Sequence, residues 1–105
     1  LGACTSNDLQ HDPYNVYAGV ITSATASILW DGTWASSTGV NIYYNTQVNP
    51  AGSWTLANVS PIATTINNYT ITNLTASTAY KVKVVDVNNS ASCKPIEILF
   101  STLAV

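Results

Sequence analysis

Hydrophobic and polar residues alternate with a period of two in several short stretches of this chain, which is the pattern of β-strands that bury one face. In residues 24–30, the apolar side chains of Ala26, Ile28 and Trp30 fall on one face. In residues 80–84 the apolar side chains again share a face. Lys81 and Lys83 occupy the other face, so we expect both lysines to be solvated. The same pattern predicts further strands at residues 16–21, 40–44, 54–59, 69–71 and 96–100.

Clusters of turn-forming residues separate these stretches. They fall at residues 31–32, 36–39, 49–52 and 88–92. No segment combines a helical period with capping residues, and short strands separated by frequent turns predict an all-β sandwich. The polar residues 1–15 do not follow the alternation. We therefore expect an N-terminal arm at residues 1–15 and one domain at residues 16–105.

Three local features resemble the fibronectin type III family. Trp30 ends the second predicted strand, where the family keeps its core tryptophan, and Leu74, Thr78 and Tyr80 match its Leu-x3-Thr-x-Tyr segment before an alternating sixth strand. One departure is that Ala76-Ser77 stands where the family has Pro-Gly. The resemblance implies a seven-stranded immunoglobulin-like β-sandwich with Trp30, Leu74 and Tyr80 in its core, Tyr80 forming a tyrosine corner. It also implies an extracellular module, for instance of a microbial surface protein.

Composition narrows the classes of partner. Charged residues make up only 8% of the 105 residues, and the formal net charge is −2. Three Lys and Arg residues cannot form the basic surface that nucleic acid or an anionic membrane requires. We therefore expect no nucleic-acid binding. No apolar run approaches the length of a spanning helix, so we also expect no membrane insertion.

Two cysteines, Cys4 and Cys93, lie near opposite ends of the chain. The even count and the many predicted strands favour a disulfide in a secreted domain over two buried thiols. The family resemblance supports this, because it places the arm and the loop before Cys93 at the same end of the sandwich. Residues 1–4 also resemble a bacterial lipobox, which would make Cys4 a lipidated N-terminus, but the residues that processing removes are still present.

Groups for catalysis are scarce. The single histidine, His11, lies in the arm beside Asp8 and Asp12, which together could form a weak metal site. We prefer to interpret these residues as part of a solvated arm. The other carboxylates show no spacing that would bring an acid and a base together, so we expect no enzyme activity and no cofactor.

Aromatic residues and glycosylation motifs supply the remaining candidates. Trp34 lies in a predicted loop, where it either contacts a partner or covers the edge of the core or the disulfide. Three tyrosines are further candidates for surface contacts, namely Tyr14, Tyr17 and Tyr43. Four Asn-x-Ser/Thr motifs begin at Asn58, Asn68, Asn73 and Asn88. This composition produces such motifs by chance, and Asn88, in a loop, is the preferred acceptor.

Two functions from different classes fit these observations. The first is a structural or adhesive module of an extracellular surface protein or fibre, which contacts neighbouring copies or domains serially through its ends. The second is an accessory spacer or carbohydrate-binding module of a secreted polysaccharide-degrading enzyme. A small secreted hydrolase is a third class, but the sequence shows no catalytic constellation for it. The fold alone does not decide among them.

Overall fold

The computed structural model describes residues 13–31, 38–48, 53–88 and 97–105. Seven β-strands follow one another along these residues. They are β1 (Tyr14–Ile21), β2 (Ala26–Asp31), β3 (Val40–Thr46), β4 (Thr55–Leu56), β5 (Asn68–Ile71), β6 (Ala79–Asp86) and β7 (Ile98–Ser101).

The strands form two antiparallel sheets. One has three strands in the order β1-β2-β5, and the other has four in the order β4-β3-β6-β7. Val40 forms an additional bridge with Ile62 at the edge of the four-stranded sheet. The predicted seven-stranded immunoglobulin-like sandwich is therefore confirmed.

The core lies between the two sheets and is built from the alternating apolar positions. In β2, every second residue from Ala26 to Trp30 is buried, as the sequence pattern predicts. Residues from both sheets join this cluster because their side chains point to the same interior. Its buried members are Val16, Ala26, Ile28, Trp30, Val40, Ile42, Ile62, Ile71, Leu74, Tyr80, Val82, Val84 and Phe100.

The edge strand β1 is irregular at two places. Its pairing with β2 shifts between Tyr14 and Tyr17 and again between Ala18 and Ile21, one extra residue on β1 each time. Asn15, inside the first shift, has a φ of 53°, a left-handed conformation that asparagine tolerates better than most residues. Because β1 begins at Tyr14, the predicted arm of residues 1–15 overlaps the sheet at its last residues. Residues 1–12 lie outside the described part of the chain.

The two ends of the described chain lie at opposite ends of the sandwich. Pro13 is buried and enters β1 where β2 ends, since Tyr14 pairs with Asp31. At the other end of β1, the amide of Leu103 donates a hydrogen bond to the carbonyl of Thr22 at 3.0 Å. The eight residues of β1 therefore separate the two ends by about 25 Å.

Candidate functional site

The residues that carry the family resemblance are packed in the interior. The exposed fractions of Trp30, Leu74 and Tyr80 are 1%, 7% and 5%. The Tyr80 hydroxyl accepts a hydrogen bond from the backbone amide of Thr75 at 2.9 Å, which is the geometry of a tyrosine corner. The Tyr80 ring also stacks on Phe100, with 5.6 Å between the ring centroids. These side chains stabilise the fold and are not accessible to a partner.

The segment after β7 is fixed onto this corner. The buried hydroxyl of Thr102 accepts a hydrogen bond from the amide of Thr78 at 3.0 Å and donates to the carbonyl of Thr75. The amide of Ser77 donates to the carbonyl of Leu103 at 3.0 Å. The sequence pattern gives no sign of this network, because the alternation ends at Phe100. As a result, the C-terminal residues leave the sandwich in a defined direction.

The prediction that Lys81 and Lys83 are solvated is wrong. Their exposed fractions are 6% and 0%, although they lie on the face of β6 that points away from the core. Trp54, just before β4, lies across that face, with its ring centroid 4.6 Å from Lys81 Nζ and 4.3 Å from Lys83 Nζ. Tyr43 on β3 contributes a third contact, 5.9 Å from Lys83 Nζ. An ammonium group over an indole face is attracted by the negative quadrupole of the ring, and this lowers the cost of burying it.

A second buried layer therefore lies on the outside of the four-stranded sheet. Val85 on β6 is also fully buried, yet it does not belong to the core cluster between the sheets. Of the sequence candidates for surface contact, Tyr43 lies in this layer and is only half-buried. Both lysines of the described residues are thus withdrawn from the surface. The cluster of Trp54, Tyr43, Lys81 and Lys83 is best explained as packing rather than as a cationic binding site.

Asn58, the first residue of one glycosylation motif, is buried and hydrogen bonded inside the protein. Only 3% of it is exposed. Its Oδ1 accepts a hydrogen bond from the amide of Ile42 at 2.8 Å. Its Nδ2 donates to Asn41 Oδ1 and to the carbonyl of Ser60, both at 2.9 Å. Both amide hydrogens are used inside the protein, so the motif at Asn58 marks a buried bridge between β3 and the segment after β4.

The other three motif asparagines are exposed. Asn68 is the first residue of the edge strand β5, and Asn73 lies in a turn with a φ of 61°. Asn88 follows β6, and its backbone amide and side-chain amide both donate to Asp86 Oδ1, at 2.9 and 3.2 Å. The side chain of Asn88 thus makes one internal contact, although the residue is exposed. All three asparagines stay candidates for glycosylation, with Asn88 as the acceptor preferred from the sequence.

Tyr17 stands on the outer face of the three-stranded sheet and is 50% exposed. It pairs with Leu29, which pairs in turn with Asn68, so one row crosses all three strands. In the next row, Ser27 pairs with Thr70, and their hydroxyl oxygens are 3.4 Å apart. This face combines an exposed aromatic ring with hydroxyl and amide groups.

Six residues singled out in the sequence lie outside the described part of the chain. They are Cys4, Cys93 and Trp34, together with Asp8, His11 and Asp12 of the arm. Tyr14 is the first residue of β1. Within the described ranges, no group of His, Cys, Asp and Glu side chains could hold a metal ion. The same part of the chain contains no helix that is long and apolar enough to cross a membrane.

Comparison with known proteins identifies the family. The family model of the fibronectin type III domain matches residues 11–99. No curated protein matches the chain.

Three solved structures illustrate the similarity of fold. The fn3 domain of human contactin 1 superimposes with a TM-score of 0.72 at 19% identity, covering 100% of this chain and 83% of that one. The sensor domain of the anti-sigma factor RsgI4 of Pseudobacteroides cellulosolvens gives a TM-score of 0.63 at 23% identity, covering 90% and 97%. The chicken CNTN1 FN1-FN3 domains give 0.68 at 23% identity, covering 87% of this chain and 31% of that longer one. At sequence identities of 19% to 23%, the similarity shows a shared fold alone.

Proposed function

Because the chain belongs to the fibronectin type III family, we propose that it is a non-enzymatic structural or adhesive module of an extracellular surface protein or fibre, and that it assembles serially through its ends. Domains of this family are generally non-catalytic modules and commonly occur in extracellular proteins. The observation that carries the proposal is that the described chain enters the sandwich at Pro13 and leaves it at Leu103, about 25 Å away at the other end of β1.

The end of the sandwich at which the chain leaves also exposes apolar side chains. Val48 and Leu103 are 92% and 55% exposed. Val48 follows the amide of Gln47, which binds the carbonyl of Ala79 where β6 begins, so it shares this end with Leu103. An apolar surface at one end can receive the opposite end of the next copy. Such a head-to-tail contact is heterologous and propagates into a fibre unless it closes into a ring.

Light scattering and negative-stain electron microscopy of the intact chain test serial assembly. We expect linear particles, and we expect deletion of residues 1–12, which keeps β1 intact, to leave a monomer. Val48→Ser should also weaken assembly. Val59→Ser is the matched control, because Val59 is 99% exposed but lies along the sheet edge rather than at the end. A strictly monomeric intact chain, or equal assembly of the deletion variant, would show that the ends do not mediate association.

The second function, an accessory spacer or carbohydrate-binding module of a secreted polysaccharide-degrading enzyme, is favoured by one feature. This is the exposed Tyr17 on a sheet face that is rich in hydroxyl and amide groups. A catalytic domain in the same polypeptide would support this function, whereas repeats of the present domain would support serial assembly.

A further inference from the structure

The outer face of the three-stranded sheet presents an aromatic ring to solvent. The residues of β2 that point to this face alternate with the buried residues Ala26, Ile28 and Trp30. Tyr17, on the neighbouring β1, is half exposed, and Val20 on the same strand is 73% exposed.

Gly19 leaves space for an apolar side chain on this face. A Cβ atom at Gly19 would lie 2.7 Å from Leu29 Cδ1, a distance that real Cβ atoms do not tolerate. The Leu29 side chain therefore covers the backbone of Gly19. It occupies the space that the side chain of any other residue at position 19 would need. The result is an apolar patch beside the ring of Tyr17, which pairs with Leu29.

Polar groups border this apolar patch on two sides. Asn68 completes the row of Tyr17 and Leu29, and Thr70 lies two residues further along β5 on the same face. On the opposite side, about 7 Å along the sheet from Tyr17, Asn15 Nδ2 donates to Asp31 Oδ2 at 3.0 Å. These groups offer amide and hydroxyl donors and carbonyl, hydroxyl and carboxylate acceptors around the aromatic ring.

The charge of the described surface restricts the ligand. Both lysines among the described residues are buried under Trp54 on the other sheet, so the described residues give this face no ammonium group that would attract an anion. Among the described residues, the carboxylate at its margin is that of Asp31, which accepts a hydrogen bond from Asn15. A neutral ligand rich in hydroxyl groups fits this environment, because it can stack an apolar ring face on an aromatic side chain and hydrogen bond at its rim.

We propose that this face is a binding site for a neutral polysaccharide, with Tyr17 as the stacking platform and Asn15, Asp31, Asn68 and Thr70 as its polar rim. Addition of a strand from a protein partner is a poorer use of this sheet at β1, since its two register shifts interrupt the regular ladder that a new strand needs. The proposal rests on the second function proposed above, the carbohydrate-binding module. It does not depend on serial assembly, because a monomeric domain can carry the same face.

Native affinity electrophoresis of the intact chain tests the proposal. The gels contain galactomannan, xyloglucan or mixed-linkage β-glucan, and alginate serves as the charged polysaccharide. We expect at least one neutral polysaccharide to retard the protein and alginate not to do so. Tyr17→Ala should reduce the association constant about tenfold or more, as truncation of an anchoring aromatic does. Tyr17→Phe should stay within about threefold, since the ring is kept.

Leu56→Ala is the control for loss of exposed apolar surface, because Leu56 is 46% exposed but lies on the other sheet. It should bind like the unaltered chain, and thermal unfolding of all variants checks that they are folded. Retardation by no neutral polysaccharide, or unchanged binding by folded Tyr17→Ala, would overturn the proposal. Equal binding of alginate would also overturn it. An intact mass that shows a glycan on Asn68 would assign the face to the protein's own sugar instead, and loss of self-association in Tyr17→Ala would assign it to a second copy.

Discussion

Asn58 offers a quantitative test of the buried polar bridge between β3 and the segment after β4. The change is Asn58→Ala, which removes one acceptor and two donated hydrogen bonds without adding volume. The acceptor is the important group, because the amide of Ile42 that it binds lies beside a fully buried side chain. The two groups that accept from Nδ2 belong to Asn41, which is half-buried, and Ser60, which is exposed, so water can replace the lost donor there.

The expected cost follows from this asymmetry. Leaving a buried amide without an acceptor costs about 1 to 3 kcal/mol, whereas each rehydrated partner loses roughly 0.5 kcal/mol. The sum is a loss of about 2 to 4 kcal/mol in the free energy of unfolding. For a domain of this size, that is a fall in Tm of roughly 8 to 25 °C. A surface asparagine substitution away from such contacts should change stability by less than about 0.5 kcal/mol.

Urea unfolding followed by tryptophan fluorescence measures the difference, with Asn67→Ala as the matched control because Asn67 is exposed. We expect the midpoint to fall for Asn58→Ala with an unchanged slope, and to stay in place for the control. Asn58→Asp should also be destabilised, since a carboxylate keeps the Ile42 contact but faces two acceptor oxygens. If Asn58→Ala loses less than about 0.5 kcal/mol, the bridge does not stabilise the fold as argued.

Three further substitutions follow from the same structure, and one measurement tests the disulfide predicted from the sequence. Trp30→Ala should destabilise the domain by about 3 to 5 kcal/mol in urea unfolding, and a fully stable variant would show that the indole is not core. Ser77→Gly should stabilise it by about 0.5 to 1 kcal/mol, because Ser77 has a φ of 51° that glycine adopts without strain; a lower Tm would contradict this. Trp54→Ala should speed acetylation of the two buried lysines, measured by mass spectrometry, and an unchanged rate would show that the indole does not shield them. Unreduced peptide mapping should link Cys4 to Cys93, and free thiols or a lipid on Cys4 would refute the pairing.

The sequence was sufficient for the interior of the sandwich because the interior is where periodicity has a physical cause. Every second residue of β2 is buried, and Tyr80, Val82 and Val84 of β6 face the core as the alternation predicts. The strand ends were predicted less accurately. β1 begins at Tyr14 and contains two register shifts, and a shift adds one residue to a strand without changing its composition. Alternation cannot detect such an insertion, since the residues on either side still look like a strand.

The outer faces of the sheets were not predictable in the same way. A lysine in an alternating strand indicates the face away from the core, and this much is correct for Lys81 and Lys83. Whether that face is exposed to solvent depends on Trp54. Trp54 lies 27 residues before Lys81 in the sequence, and only the pairing of β4, β3 and β6 brings the two side chains together. Likewise, no pattern distinguishes the buried Asn58 from the exposed Asn68, because both begin the same three-residue motif.

The position of Ser77 shows how a fold can keep a geometry while changing the residue that usually provides it. The family pattern has Pro-Gly where this chain has Ala76-Ser77, yet Ser77 adopts the left-handed conformation that favours glycine. Two contacts hold it there: its amide binds the carbonyl of Leu103, and the next amide, of Thr78, binds the hydroxyl of Thr102. The C-terminal segment thus offsets the strain at the tyrosine corner. The same contacts fix the direction in which the chain leaves the sandwich, which is the geometry that serial assembly requires.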